Sequence, residues 1–212
     1  MEGQFSSLLN QFTVAVILTG ATFFAGLVPL LPIAAIDLSV NAAAIIPLLF
    51  LAFIAGIVFY ILADTIEIFA QDRGLVVDHF EIFEQTIRDE DVLSEELTLV
   101  FFDTLAEEYD VTEAEVKSNL DDFYRLVLSG TLQSQWGMAR TLLGFYLFSR
   151  NAVVIFPALL PIYFLFPTQY PIEYLVVLLV GLTGVFAIGY YQFKRIYIGY
   201  LITDYASIRL NK

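Results

Sequence analysis

Apolar residues in this chain gather into four long runs, separated in the middle by a stretch in which they instead recur every three or four positions. The runs cover 12–36, 42–63, 151–166 with an apolar lead-in from Leu142, and 174–193. A helix needs roughly 20 apolar residues to cross a hydrocarbon core. Each run therefore predicts a membrane-spanning helix, the third being the shortest. The connections 37–41 and 167–173 are too short to hold a domain, so the spans pair as two hairpins, 1–66 and 136–193.

Between the hairpins, residues 67–135 predict three amphipathic helices. Val76, Phe80, Phe83 and Ile87 line the first, after the second span has run on through Asp64, Glu67 and Gln71 to a stop near Gly74. Leu93, Leu97, Phe101 and Leu105 line the second. The third opens at Thr112 with Glu115 three residues on, a capping box, and carries Val116, Leu120, Phe123 and Val127. Packing alone leaves a domain of ~70 residues marginal, so docking to a membrane or a second subunit is expected. From Gln133 to Ser149 the chain is amphipathic and aromatic, an interfacial helix feeding the third span, with Trp136 and Arg140 as membrane anchors. Lys194 and Arg195 are the matching anchors after the fourth span. Residues 194–212, with Ile198, Leu201, Ile202, Tyr205 and Ile208 on one face, predict a cytoplasmic or interfacial carboxy-terminal helix.

Charge orients this layout. All ten Lys and Arg side chains lie between Arg73 and Lys212, and both short outer connections lack them. Basic residues are retained on the cytoplasmic side. The expected protein is thus all-α, a multi-pass protein of the cell membrane with both termini and a helical insert in the cytoplasm. Met1 to Gln11 holds Glu2 and no basic residue, which fits a retained first helix rather than a signal peptide. The hydrophobic fraction of 58% and mean hydropathy of +0.75 agree with a bilayer as solvent.

The net charge is −13, and it is localised: residues 67–140 hold 18 acidic and 5 basic side chains. Such a surface suits hydration at high salt, as in halophilic archaea. It also argues against nucleic acid as a partner. The helix, tight turn and capped helix around Asp110 resemble a DNA-reading motif in outline, but Glu113, Glu115, Asp121 and Asp122 would repel phosphate.

Candidate chemistry is sparse. Asp64 and Glu67 share a helix face at the inner end of the second span, and Arg150 with Asn151 opens the third. Charges at membrane depth are costly unless paired, so an ion pair from Asp64 to Arg150 is expected, serving as an interhelical clamp or as a gate. Pro29 and Pro32 in the first span, and Pro157 and Pro161 in the third, predict helix kinks. Their similar surroundings, with Gly56 and Gly184 following at similar distances, suggest a parallel duplication. Gly20, Gly26, Gly56, Gly181, Gly184 and Gly189 permit close helix approach. His79 has no acidic neighbour three or four residues away, the absence of cysteine removes thiolate ligands, and the acidic run 89–91 lacks calcium-loop spacing. No metal or cofactor is expected.

No span offers a nucleophile with a base, which excludes the usual intramembrane hydrolases and points away from an enzyme. The expected function is a non-enzymatic membrane assembly or adaptor subunit. Its acidic domain, 67–135, would dock a protein partner or another copy. The alternative is a homo-oligomeric ion channel or transporter gated by that domain.

Overall fold

The computed structural model describes residues 2–31, 42–88, 93–133 and 138–210, and among these the chain is all-helical with no strand. Eight helices follow in order: α1 (Glu2–Leu27), closed by a single 3-10 turn Val28–Leu30, α2 (Ala42–Asp72), α3 (His79–Arg88), α4 (Glu95–Tyr109), α5 (Glu113–Ser118), α6 (Leu120–Gln133), α7 (Met138–Leu165) and α8 (Ile172–Leu210). Four of them, α1, α2, α7 and α8, are long and apolar enough to cross a membrane. Large aliphatic and aromatic side chains stand exposed along α2 and α8, among them Ile46, Phe50, Val58, Val177 and Ile188. A soluble protein rarely leaves so much contiguous apolar surface uncovered.

Contacts divide the chain into two units, Phe12–Ala70 with Gly144–Tyr191, and Met1–Gln11 with Gln71–Leu143 and Gln192–Lys212. In the first unit, glycine decides how α1 meets α2. A Cβ on Gly20 would collide with the Ala52 carbonyl, and one on Gly56 with the Val16 carbonyl. Each helix therefore presents a bare backbone to the other, and the register runs antiparallel, with Phe12 edge-on to Tyr60 at 5.0 Å one turn further along. Close approach of this kind replaces the hydrophobic drive that lipid cannot supply. Elsewhere in the unit, Ile155, Phe156, Leu159 and Tyr163 of α7 pack with Leu175 and Leu179 of α8. The amide of Gln169 donates to the Pro29 carbonyl at 3.0 Å, tying the α7–α8 connection to the end of α1.

The prolines behave differently from one another. Pro29 lies in the 3-10 turn that ends α1, so it stops that helix instead of kinking it; a ring without an N–H is tolerated at the first positions of a turn. Pro157 and Pro161 lie inside α7, which stays helical through both. Pro32 falls outside the described residues. Gly56 is pressed against a backbone while Gly184 faces open space. The two segments compared as a duplication thus share residue types but not local structure.

In the second unit the expected helices form, with three changes. Val76 precedes α3, which starts at His79. Leu93 is buried just ahead of the Ser94 cap that opens α4. The expected third helix is broken at Asn119 (φ −119°, ψ 38°) into α5 and α6, because the Asn119 side-chain amide donates to the Glu115 carbonyl and to Ser118 Oγ and so competes with the backbone. Asp110 closes α4 in the left-handed conformation (φ 53°), one of the few non-glycine residues that accept it.

The core of this unit is aromatic. Phe83 and Phe101 are wholly buried, their rings 6.1 Å apart, and the Tyr124 ring lies tilted 4.9 Å from Phe83. Burial, helped by the charge of Asp78, pushes the Tyr124 phenol up to about 12. Distant chain completes the core: Tyr197, Ile198, Leu201, Ile202 and Tyr205 of α8 are buried in it. The apolar face of residues 194–212 accordingly packs into protein, and it supplies the surface that residues 67–135 lack; the side chain of Ile208 lies outside the described residues. The Asp204 carboxylate accepts from the Ala139 amide at 2.8 Å, capping α7 from 65 residues away. The expected interfacial helix and third span are one helix from Met138 onward; Trp136 lies outside the described residues.

Two measurements check this account. Gly56→Leu should lower the thermal midpoint of the full chain in detergent micelles sharply, because the obstruction is backbone, whereas Gly184→Leu should leave it nearly unchanged. At the α5 cap, the Thr112 amide and hydroxyl donate to Glu115 at 2.8 and 2.9 Å and hold its carboxyl below the ordinary 4.5. Its stabilising contribution should be complete above that value and vanish as pH falls through the lower folded value. Urea titrations across that range should show the loss in the parent and not in Glu115→Gln.

Candidate functional site

The first unit buries a polar cluster to which all four long helices contribute. On α2, Tyr60, Asp64 and Glu67 are spaced i, i+4 and i+7, which sets them on one face, continuing the line of small buried residues Ala52, Gly56 and Ala63. On α7, Tyr146, Arg150 and Asn151 approach them. Arg150 Nη1 is 2.7 Å from Asp64 Oδ1 and 3.3 Å from Glu67 Oε2. Arg150 and Glu67 are almost wholly buried, whereas the Asp64 side chain is 46% exposed.

Glu67 gathers most of the donors. The Tyr146 hydroxyl lies 2.9 and 2.8 Å from its two oxygens, and the Tyr190 hydroxyl of α8 donates at 2.6 Å. Each of these groups donates and the carboxylate accepts, an arrangement that suits an ionised acid. The Arg150 guanidinium is 4.6 Å from the centre of the Tyr60 ring. Its Nη2 is buried without a hydrogen-bond acceptor, and the ring faces of Tyr60 and Tyr146 compensate in part by cation–π attraction. Asn151 turns toward α1, its Nδ2 donating to Thr19 Oγ1 at 3.1 Å. Thr19 in turn donates to the Ala15 carbonyl at 2.7 Å.

The structure thus brings Asp64, Glu67, Arg150 and Asn151 together. Tyr60, Tyr190 and Thr19 join them without having been singled out for that role. Thr19 is one polar residue within an apolar run, and tyrosines near span ends carry no sign in sequence of which way the ring turns. Pro29, Pro157 and Pro161, the described prolines among the predicted residues, have no polar side chain to add to the cluster. Lys194, expected at the lipid headgroups, is 1% exposed and donates from Nζ to the Val77 carbonyl at 2.8 Å; the extended turn before α3 offers that carbonyl, and the amine is sealed inside the second unit. Arg140 is buried as well. Only Arg195 of the three is exposed.

Within the cluster, acid is paired with base and with phenol hydroxyls. Among the described residues no three His, Asp or Glu side chains converge as metal ligands. No protein-family model, no curated protein and no solved structure matches this chain.

Arg150→Ala should cost about 3–5 kcal/mol, since it strands Glu67 as a buried charge without its cation. Combined with Asp64→Ala in a double-mutant cycle, it should show a coupling of about 0.5–3 kcal/mol, read from denaturant unfolding in micelles. Strict additivity would mean that the 2.7 Å contact contributes nothing. Tyr190→Phe should cost less, about 1.5–3 kcal/mol, for one hydrogen bond to a charged acceptor.

Proposed function

We propose that this chain is a non-enzymatic integral membrane assembly or adaptor subunit whose acidic helical domain docks a partner with a basic face, or a basic segment of another copy. The supporting observation is the contrast between two sets of charges. The buried ones are consumed in the clamp. The carboxylates on the second unit are turned outward: Glu95, Glu96, Asp103, Glu107, Asp110, Asp121 and Asp122 are all exposed. Of the basic side chains on that surface, Arg88, Lys117 and Arg125 are already engaged by acids one turn away, Glu84, Glu113 and Asp121. Pairs of this sort contribute little energy on an exposed helix, and they leave the surrounding field negative.

In this reading the four long helices span the membrane as two hairpins, with both termini and the acidic domain in the cytoplasm. The anionic inner leaflet repels the acidic surface, which keeps it free for protein contact. A salt-adapted source would extend the same logic, the carboxylates holding water where ions are concentrated.

A second reading, a homo-oligomeric channel or transporter gated by the domain, draws support from an apolar cavity of about 310 Å³ in the first unit. Gly26, Pro29, Leu159 and Tyr163 are among its walls. Its lining carries few polar groups, so conduction would need a hydrophobic gate.

One experiment separates the two. Crosslinking of the full chain in its native membrane should trap one stoichiometric partner. Replacing Glu95, Glu96, Asp121 and Asp122 by amides should abolish the product, as should raising the ionic strength well beyond that of the cell of origin. Vesicles holding the purified protein should stay ion-tight. Steady ion flux through such vesicles would instead favour the channel.

A further inference from the structure

Within the second unit, α8 borders a groove of about 550 Å³ whose walls include Gln192, Arg195, Tyr200 and Thr203 on the helix and Thr86 with Leu93 opposite. Arg195 is exposed. Its neighbour in sequence, Lys194, is buried against a backbone carbonyl, and Arg88, Lys117 and Arg125 hold carboxylates. Arg195 has no ion-pair partner among the described residues, although it belongs to the unit that carries most of the acidic side chains. No carboxylate among the described residues lines the groove. A Cβ at Gly199, on the groove wall, would meet no other atom within 4 Å. The floor is therefore open where a ligand would lie.

We propose that this groove binds the phosphate headgroup of an anionic membrane lipid, with Arg195 on the phosphate oxygens. Arginine presents a planar fork of donors matched to phosphate. Gln192 and the Tyr200 hydroxyl offer further hydrogen bonds around it. Leu93 and Ile196 supply apolar wall for the first carbons of an amphiphile, which a free inorganic anion would not use. The helix bearing Arg195 is the fourth apolar span, so the site belongs near the level at which hydrocarbon gives way to headgroups. The lipid source rests on the membrane-spanning reading of α8; the docking role of the acidic surface is independent of it.

The test uses the full chain in detergent micelles, titrated with short-chain phosphatidylglycerol, with phosphatidylcholine, and with inorganic phosphate. The rise in thermal midpoint reports the apparent affinity. Phosphatidylglycerol should stabilise the parent protein. Phosphatidylcholine, whose own ammonium neutralises the phosphate, and inorganic phosphate should do so far less. Arg195→Gln should weaken the phosphatidylglycerol effect by about five- to tenfold. Gly199→Leu, whose Cβ enters open space on the groove wall, should weaken it as much while leaving the lipid-free midpoint at or above the parent value. This second variant keeps the test decisive if Arg195→Gln folds poorly. Equal protection by inorganic phosphate would overturn the lipid assignment. Undiminished phosphatidylglycerol binding by Gly199→Leu, or none by the parent, would remove the site altogether.

Discussion

A guanidinium shut away from water has to be answered by carboxylate, and this requirement organises the first unit. Arg150 is satisfied only when α2 stands beside α7 with Asp64 and Glu67 turned toward it. Glu67 then recruits Tyr190 from α8, and Asn151, one residue on from Arg150, reaches Thr19 on α1. Rotating α2 or α7 by a single residue, about 100°, would break several of these contacts at once. Apolar packing in lipid is permissive, since one aliphatic face resembles another. A buried ion pair is not, and it selects one register among many.

The glycines act on the same helices by a different route. Gly20 and Gly56 let the α1 and α2 backbones touch, which fixes both the separation and the register of this pair, since a Cβ moved to either contact would strike a carbonyl. The ionic cluster fixes α2 against α7. Small residues thus set one helix pair and charged residues another, a division of labour suited to a solvent that offers little drive for helix association.

The second unit faces the opposite problem. Its helices α3 to α6 are short and acidic, and their apolar stripes are too few to close a core unaided. Residues from α8 and the start of α7 complete it, with Tyr205 ring-to-ring with Phe101 at 6.1 Å and its hydroxyl donating to Glu108 at 2.5 Å. Stability of the acidic surface is thereby coupled to a helix that is also a candidate span. A segment cut at 67–135 would lose a wall of its core, so the domain is defined by packing and not by a continuous stretch of chain.

How much of this was written in the residues themselves varies with the length scale of the cause. Helix type and extent follow from periodicity and apolar run length, which are local, and the Thr112–Glu115 cap and the Gly74 stop are local too. The pairing of Asp64 with Arg150 was legible because an unpaired charge at membrane depth is prohibitive, which leaves few candidates. The roles of Tyr60 and Tyr190 were not, because a tyrosine near a span end serves equally as an interface anchor or an internal donor until its neighbours are known. Lys194 and Arg195 show the limit most clearly. Adjacent and chemically alike in sequence, they differ by one step around α8, and that step buries one against Val77 and exposes the other in a groove. The sequence by itself determined the helices, their apolar lengths and the location of the acid; only the tertiary structure decided which faces meet, because the direction of a side chain is set by the partner helix's position and not by the residue's own chemistry.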